Sequence, residues 1–500
     1  MPSDPPASSS APAAPSGPAE PAAEPAAEPA AEPTLPEPPG PRLPAWAQTL
    51  LFLARPDAVL ASAHRRYGPV FRLRLAGMPP EVFVTTAELA ERVYAVDAGR
   101  GRAGEVRRQV LEPVVGRHSL LSLDGEPWRR HRKLLSPPLH GRAIAAYREE
   151  IARIAADHIG RWPAGVPFAL RDRMQDITLE VILRLVFGIR DSARLERLRT
   201  LIPRLIDTGA STAVLLLPPR LRAWMERSPL PRRLPFLPTT RFFARRAEID
   251  AILYEEIAQR RSAPDPAATD VLARLLAARD EDGRPMSDQE LRDELITMLV
   301  AGHETTATAL AWAFERLLRD ERVLARLRRE LAAGDERYLE AVTKEALRAR
   351  PVVYDAPRLL DAPLRLGDHQ VPAGWFAAPL ISLIHRDPAA FPRPEEFRPE
   401  RFLGADGQDA DGQDGERAAL AGRAWMPFGG GRRYCVGAQL ALLEMRVIIA
   451  EVLSRVELAA PDARPEPPKM KHVTFVPARR ARVVVRAHRE VAAPAVRETT

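Results

Sequence analysis

Residues 428–437 read Phe-Gly-Gly-Gly-Arg-Arg-Tyr-Cys-Val-Gly and contain Cys435, the only cysteine of the chain. We call this stretch the cysteine loop. Its successive glycines let the backbone approach a large planar ligand closely and direct N–H groups at the sulfur. A helix is predicted from Ala438 to Ser454, and its positive N-terminal end favours a thiolate. The loop therefore predicts a sulfur ligand, and Arg433 is placed to pair with an anionic group of the same bound molecule.

Nucleotide-binding loops are the main alternative for a run of glycines. No Gly-Lys-Ser/Thr follows these glycines, so a phosphate-binding P-loop is excluded. Gly429 and Gly431 lack the third glycine that a dinucleotide-binding fingerprint needs.

A long helix is predicted upstream, from Ser287 to about Asp320, because Ser287 and Glu290 form a capping-box pattern ahead of apolar residues at helical spacing. Its middle reads Ala-Gly-His-Glu-Thr-Thr-Ala over residues 301–307. A glycine inside a helix costs roughly 1 kcal/mol, which indicates a use for the bulge or the space that it allows. The His-Glu pair is not a zinc-protease motif, since Ala307 stands where the second histidine must be.

The cysteine loop resembles the haem-ligand loop of the cytochrome P450 monooxygenases, and the resemblance covers nearly all of residues 43–486. It implies a mainly α fold, the cytochrome P450 fold, with a large helical body and small flanking β-sheets. Short strands are predicted at residues 70–75, 81–85, 472–476 and 481–485. The cofactor implied is haem b (iron protoporphyrin IX), buried between the long helix and the cysteine loop, with Cys435 as the iron ligand.

The resemblance also assigns roles to further residues. The haem-binding residues it implies, besides Cys435, are Trp128, Arg132, Arg358, Phe428, Arg433 and Gly437. Trp128 and Arg132 lie four residues apart, hence on one helical face, and with Arg358 they are expected at the haem propionates. Glu304 and Thr305 match the acid–alcohol pair that serves oxygen activation. Glu345, Arg348 and Arg401 are expected to form a buried, structural charge network.

The activity implied is the insertion of one oxygen atom from O₂ into a small apolar substrate. The stretches 118–141 and 286–313 are most similar to bacterial members associated with long-chain fatty-acid hydroxylation. A terpenoid, steroid or polyketide-type substrate is the alternative. A peroxide-driven oxygenase and a non-enzymatic haem sensor are rival functions that share the cofactor.

Electrons are expected from NAD(P)H through separate proteins, a ferredoxin- or flavodoxin-type donor and its reductase, because only 65 residues follow Cys435. Arg129, Arg130, Lys133 and Arg432 are expected on the face behind the cysteine, where basic groups would attract an acidic donor.

The amino-acid composition excludes several other classes of protein. The 500 residues are 46% hydrophobic with a formal net charge of +7, which excludes a wholly disordered chain and a multi-span membrane protein. Only four of the 73 basic residues are lysine, and the arginines are interleaved with acids. Together with the lack of a nucleic-acid-binding motif, this argues against a nucleic-acid partner.

The chain is expected to divide into three parts. Residues 1–44 form a disordered tail rich in Pro, Ala and Glu, residues 45–490 the cytochrome P450 domain, and residues 491–500 a flexible C-terminal tail. The apolar stretch 45–54 is about half the length of a membrane span, so it predicts a helix packed on the domain and no integral membrane span. The expected location is the cytoplasm.

Overall fold

Helices make up most of the chain in a computed structural model, which describes residues 35–189, 192–209, 238–403, 415–471 and 473–489. Residues 1–34 and the expected C-terminal tail 491–500 lie outside the described residues. A mainly α fold with small sheets was predicted, and the structure confirms it.

The described helices run as follows: α1 (Ala45–Ala54), α2 (Pro56–Tyr67), α3 (Ala87–Ala95), α4 (Ala103–Val115), α5 (Gly125–Leu135), α6 (Arg142–Ala145), α7 (Arg148–Ile159), α8 (Leu170–Val181), α9 (Ser192–Gly209), α10 (Pro238–Ser262), α11 (Val271–Ala277), α12 (Asp288–Leu317), α13 (Glu321–Ala332), α14 (Arg337–Ala349), α15 (Ile381–Ile384), α16 (Gly415–Ala424) and α17 (Ala438–Arg455).

The described strands are β1 (Val70–Leu73), β2 (Glu81–Val84), β3 (Gly101–Arg102), β4 (Phe168–Ala169), β5 (Arg358–Leu360), β6 (Leu364–Leu366), β7 (His369–Val371), β8 (Phe376–Pro379), β9 (Val456–Ala459), β10 (Pro468–Lys471), β11 (Thr474–Pro477) and β12 (Arg482–His488). The largest sheet has the order β1-β2-β8-β5-β3, with β2 parallel to β8 and the other pairs antiparallel. Smaller sheets pair β10 with β11, β6 with β7, and β12 with both β4 and β9.

The long helix α12 runs through the core, as predicted. Ser287 caps it through the expected capping box, in which its side chain and that of Glu290 each bond the other residue's backbone N–H. The helix stays regular through Gly302, so this glycine provides space and not a bulge. A Cβ built on Gly302 would lie 2.9 Å from Cδ1 of Ile182, in the turn that follows α8. The glycine thus lets α8 and α12, which pack extensively, approach closely.

The N-terminal boundary predicted at Ala45 is wrong by about nine residues. Pro36 and Pro39 accept backbone hydrogen bonds from Gln370 (3.0 Å) and Arg72 (2.8 Å), and Glu37 pairs with Arg72. Proline lacks an N–H but keeps its carbonyl, so an extended proline-rich segment can still accept hydrogen bonds from the edges of sheets. The compact unit accordingly begins at Pro36.

This boundary can be tested by truncation. A chain that begins at Pro36 should melt within about 2 °C of the full-length protein, because residues outside packed features contribute little to stability. A chain that begins at Pro41 loses both carbonyl acceptors and the Glu37 carboxylate, and should melt about 2–4 °C lower. Thermal unfolding followed by circular dichroism makes the comparison. Equal melting temperatures for the two truncations would contradict this boundary.

A buried carboxyl group lies on α17, the helix that follows the cysteine loop. Glu444 is 2% exposed, and its Oε2 atom has no hydrogen-bond partner. Burial raises the pKa of this carboxyl from 4.5 to about 8. Glu444 is therefore protonated in the folded protein at neutral pH, whereas it is ionised in the unfolded chain.

A raised pKa in the folded state means that stability falls as pH rises from about 4.5 to about 8, since only the folded form then keeps the proton. Glu444→Gln removes this proton uptake. Between pH 6 and pH 8 its melting temperature should fall by about 3 °C less than that of the wild type. Glu451→Gln on the same helix, whose carboxylate pairs with Arg455 at 2.7 Å, should keep the wild-type pH dependence. Parallel curves for wild type and Glu444→Gln would refute the assignment.

Candidate functional site

Three glycines shape the cysteine loop. Gly429 and Gly431 have φ angles of +74° and +64°, in the left-handed region that side-chain-bearing residues rarely adopt. A Cβ built on Gly430 would lie 2.5 Å from the ring of Tyr94. The loop can therefore turn tightly against α3 only because these positions lack side chains, and the turn presents Cys435.

The surroundings of Cys435 suit a thiolate ligand. Its backbone N–H donates to the carbonyl of Phe428 at 3.0 Å, which closes the loop. The side chain is accessible although protein atoms surround it closely enough that burial raises the pKa of the thiol. Both properties together describe a side chain that lines an internal opening. A hydrogen bond from the backbone of Gly437 and the charge of Arg132 act in the opposite direction and favour the thiolate.

The structure brings Trp128, Arg132 and Arg433 together beside the loop. The guanidinium carbon of Arg433 lies 4.3 Å from the Trp128 ring centroid. Arg132 donates to the backbone oxygen of Tyr434 at 2.7 Å. Arg433 also pairs with Asp124 at 2.5 Å. Helix α5 and the cysteine loop are thus tied to each other by the side chains that were predicted to bind the cofactor.

Arg358 completes a positive cluster with a residue that the sequence did not indicate, the half-buried Arg107. Arg358 is 1% exposed and pairs with Asp97 at 2.6 Å. Burial, and then the charges of Arg358 and Arg433, lower the pKa of Arg107 to about 10. Burial also lowers the pKa of Arg433 to about 10, even though Asp124 and Asp97 oppose that shift.

Mutually repelling arginines in the protein interior are costly unless an anion neutralises them. The cluster of Arg107, Arg358 and Arg433, close to an accessible thiol, has the chemistry expected of a pocket for a metal porphyrin that carries two carboxylates. The residues present therefore fit haem. Arg107 lies on α4 in an arginine-rich chain, where only its spatial neighbours distinguish it.

The middle of α12 is accessible, in contrast to its surroundings. Ala301 is exposed and Val300, Gly302 and Thr305 are half-buried, whereas residues 291–299 and 306–315 are buried throughout. The hydroxyl of Thr305 donates to the carbonyl of Ala301 at 2.5 Å. An exposed strip inside an otherwise buried helix marks the wall of a cavity, and Thr305 contributes the hydroxyl group of this wall.

Glu304 lies next to Thr305 in the chain but in a different environment. It is 7% exposed, and its Oε1 atom lies 2.6 Å from Nη2 of Arg171 and 3.3 Å from Nζ of Lys471. Arg171 also donates to Oγ1 of Thr308 at 3.2 Å. The carboxylate is thus turned toward two cations. Arg171 and Lys471 are far from Glu304 in the sequence, and no local motif predicts that they contact it.

The predicted charge network is present as a set of contacts. Arg348 bonds both carboxylate oxygens of Glu345, at 2.7 and 2.9 Å, with both side chains fully buried. Arg401 lies 3.3 Å from the same carboxylate. His385, which the sequence did not single out, accepts from the backbone N–H of Met426 at 3.0 Å and also contacts the Arg348 carbonyl. His385 therefore connects this network to the residue two positions before the cysteine loop.

The basic face expected behind the cysteine is largely neutralised. Arg130 pairs with Asp280 at 2.6 Å and with Glu290 at 2.7 Å. Lys133 pairs with Glu281, and Arg129 lies 3.3 Å from Glu126. Arg432 is exposed. Because ion pairs cancel most of the distant field of each charge, attraction of an acidic donor through these residues is weaker than the sequence suggested.

Within the described parts of the chain, no helix combines the length and the hydropathy that crossing a bilayer requires.

Known proteins similar to this chain were found both by sequence and by structure. Cytochrome P450 135B1 of Mycobacterium tuberculosis is 44% identical over 466 residues, covering 91% of this chain and 93% of that protein. Cytochrome P450 135A1 of the same species is 38% identical over 443 residues, covering 88% and 93%. The retinoic-acid-bound cyanobacterial CYP120A1 has a TM-score of 0.75 at 26% identity, covering 90% and 99%. The haem domain of cytochrome P450DA has a TM-score of 0.76 at 24% identity, covering 91% and 98%, and supports the fold alone.

The family model for cytochrome P450 matches residues 38–484, so the match begins close to the observed start of the compact unit and ends within β12. The matched range contains the cysteine loop, the arginine cluster and the accessible strip of α12. This chain belongs to the cytochrome P450 family and is a haem-containing monooxygenase.

Proposed function

We propose that this protein oxidises an apolar small molecule in the opening between α12 and the cysteine loop, with haem b held by Cys435. The observation that carries the proposal is an accessible cysteine in one loop with Arg433, whose side chain is 8% exposed, and close to Arg358, whose side chain is 1% exposed. Bound haem supplies the activation of O₂ and the insertion of one oxygen atom into the substrate. The chain's own residues bind and orient the haem, line the pocket and move protons.

Haem binding is divided between the sulfur and the cations. Cys435 ligates the iron, with Phe428 and Gly437 fixing the loop through backbone contacts. Arg132, Arg358, Arg433 and Trp128 are proposed at the propionates, as the family resemblance implies. Arg107 joins them on the strength of its position in the cluster. An anion bound there offsets the repulsion among the arginines, so cofactor binding and folding stabilise each other.

Thr305 and Glu304 are proposed to deliver protons to the reacting oxygen. Thr305 is at the accessible strip and can turn its hydroxyl proton from Ala301 toward the cavity. Glu304 is the acid next to it, but its carboxylate is held by Arg171. A proton relay through Glu304 therefore requires this carboxylate to leave Arg171 and reach the cavity by way of water.

The accessible strip of α12 offers mainly Val300, Ala301 and Gly302, which suits an apolar substrate. We propose a long-chain carboxylic acid as the first class to examine. The likeness of residues 118–141 and 286–313 to fatty-acid hydroxylases supports this class, and so does the 26% identical neighbour whose structure holds retinoic acid. A terpenoid, steroid or polyketide-type compound is the alternative. Titrating each class into the ferric protein and recording the Soret shift distinguishes them.

Electrons are proposed to come from NAD(P)H through a separate ferredoxin- or flavodoxin-type donor and its reductase, in the cytoplasm. Oxygen consumption that depends on NADPH, donor and substrate together supports this route. Turnover with hydrogen peroxide alone would indicate a peroxide-driven oxygenase. Haem binding without turnover of any substrate class would indicate a sensor.

Cys435 should be the sole protein ligand of the iron. Cys435→His should abolish the red-shifted carbon monoxide band of the reduced protein, because that band requires a thiolate. Tyr434→Phe, which leaves the backbone contacts of the loop in place, should keep the band. A Cys435→His protein that retains the band would show that another group binds the iron.

Thr305→Ala should separate electron consumption from product formation. A methyl group cannot donate a hydrogen bond or relay a proton, so NADPH oxidation should continue while product falls about tenfold or more. The missing electrons should appear as hydrogen peroxide. Thr305→Ser restores the hydroxyl and should recover most of the coupling, and Thr306→Ala, a buried neighbour, should leave it intact. Full coupling in Thr305→Ala would eliminate the relay role.

A further inference from the structure

Helix α1 buries Gln48 and Phe52 against the domain and leaves most of its large apolar side chains on the outward side. Five large apolar side chains of residues 43–53 are between 48% and 67% exposed: Leu43, Trp46, Leu50, Leu51 and Leu53. Half of the exposed large hydrophobic residues among the described part of the chain lie in this one segment. Soluble surface helices normally show the opposite pattern, so the outward face of α1 needs an apolar partner.

Hydrogen bonds on the inward side fix this orientation. Gln48 is 3% exposed, donates to the carbonyl of Leu43 at 2.7 Å and accepts from the backbone N–H of Arg74 at 3.0 Å. Thr49 accepts from the backbone N–H of Ala76 at 2.8 Å. Rotating α1 would leave the buried Gln48 amide without these partners, which costs about 1–3 kcal/mol for each unsatisfied group, and would also take Phe52 out of the core. The outward face is therefore a stable feature of the fold.

Exposed arginines surround the apolar face. Arg42 and Arg55 stand at the two ends of α1, and Arg74 lies in the adjacent turn that bonds Gln48. All three are exposed, and no acidic partner contacts them among the described residues, although most arginines of this protein belong to ion pairs. Met78, also exposed, extends the apolar face into the same turn.

Two other occupants fit this surface less well than a lipid bilayer. Residues 1–34 contain no leucine, isoleucine, valine or aromatic residue, so their composition cannot supply an apolar cover, whereas residues 210–237 are rich in leucine and are the cover that the chain itself could offer. A ten-residue helix is about 15 Å long, and its outer face is smaller than the roughly 800 Å² per partner that a stable dimer interface buries. An apolar helix face with tryptophan, bordered by arginines, has the chemistry of a segment that lies in a membrane interface.

We propose that α1 docks this protein on the surface of an anionic phospholipid bilayer. Trp46 and the exposed leucines enter the boundary between headgroups and acyl chains, while Arg42, Arg55 and Arg74 contact lipid phosphates. Apolar burial and basic attraction act together, as reversible membrane binding requires two such signals. The helix is too short to cross the bilayer, so the association is peripheral.

Co-sedimentation of the haem-loaded, full-length protein with vesicles tests the proposal. Vesicles of phosphatidylcholine with one-third phosphatidylglycerol should bind the wild type at least about tenfold more strongly than vesicles of phosphatidylcholine alone, because each arginine near an anionic surface adds to binding. The triple variant Trp46→Ser, Leu50→Ser, Leu53→Ser should lower the partition coefficient at least about tenfold. The double variant Val166→Ser, Val473→Ser removes exposed apolar side chains elsewhere and should bind like the wild type.

The carbon monoxide band of each variant shows that the fold and the haem site are intact, so loss of lipid binding is separable from loss of the proposed function. Absence of wild-type binding, or unchanged binding of the triple variant, would overturn the proposal. Equal binding to both vesicle types would overturn the anionic assignment. A lipid-free dimer that the triple variant abolishes would assign the face to a second copy of the chain. Absence of wild-type binding, with binding gained when Leu215, Leu216 and Leu217 are changed to Ser, would assign the face to residues 210–237 of the same chain.

Discussion

Positive charge held inside the protein is the constraint on which the site depends. Arg107, Arg358 and Arg433 influence one another electrostatically. Asp97 and Asp124 pair with Arg358 and Arg433, and Asp355, near Arg107, has a pKa that burial raises to about 7. Each buried ion without a compensating charge lowers the free energy of unfolding by several kcal/mol. In the proposed function, the two carboxylates of a bound porphyrin would neutralise positive charge of this cluster. The thiol of Cys435 lies two residues after Arg433 in the cysteine loop, where it would ligate the iron of a bound haem.

Local patterns in the sequence predicted the parts of the site that depend on local chemistry. The cysteine loop was recognisable because its glycines, its cysteine and the following helix are contiguous. Helix α12 was recognisable because Ser287 and Glu290 form a capping box at its N-terminus. Arg107, Arg171 and His385 were missed for the opposite reason. Their meaning comes from partners far away in the chain, such as Glu304 for Arg171, and arginine is too frequent here for any one of them to stand out.

The proline-rich N-terminus shows how composition can mislead about a boundary. Proline content alone predicted disorder up to residue 44, yet Pro36 and Pro39 accept hydrogen bonds from the domain. Composition reports what a segment can bury, whereas the edge of a neighbouring sheet offers donors that no composition reveals. The same holds for the face behind Cys435, where acids from α12 and the segment before it neutralise basic residues of α5. Charge counted along the sequence overestimated the field at that surface.

The parallel pairing of β2 with β8 affects how the protein can be made in the cell. Glu81 pairs with Phe376 and Val84 with Pro379, so the two strands are separated by about 290 residues. A ribosome that adds about 5–20 residues per second needs about 15–60 s to supply β8 after β2 has emerged. During that time the hairpin of β1 and β2 has an open edge with valine and phenylalanine side chains on it, which is a site for mispairing with other nascent chains. Slower synthesis at low temperature lengthens this interval. A chaperone that shields the hairpin until β8 is synthesised prevents the mispairing.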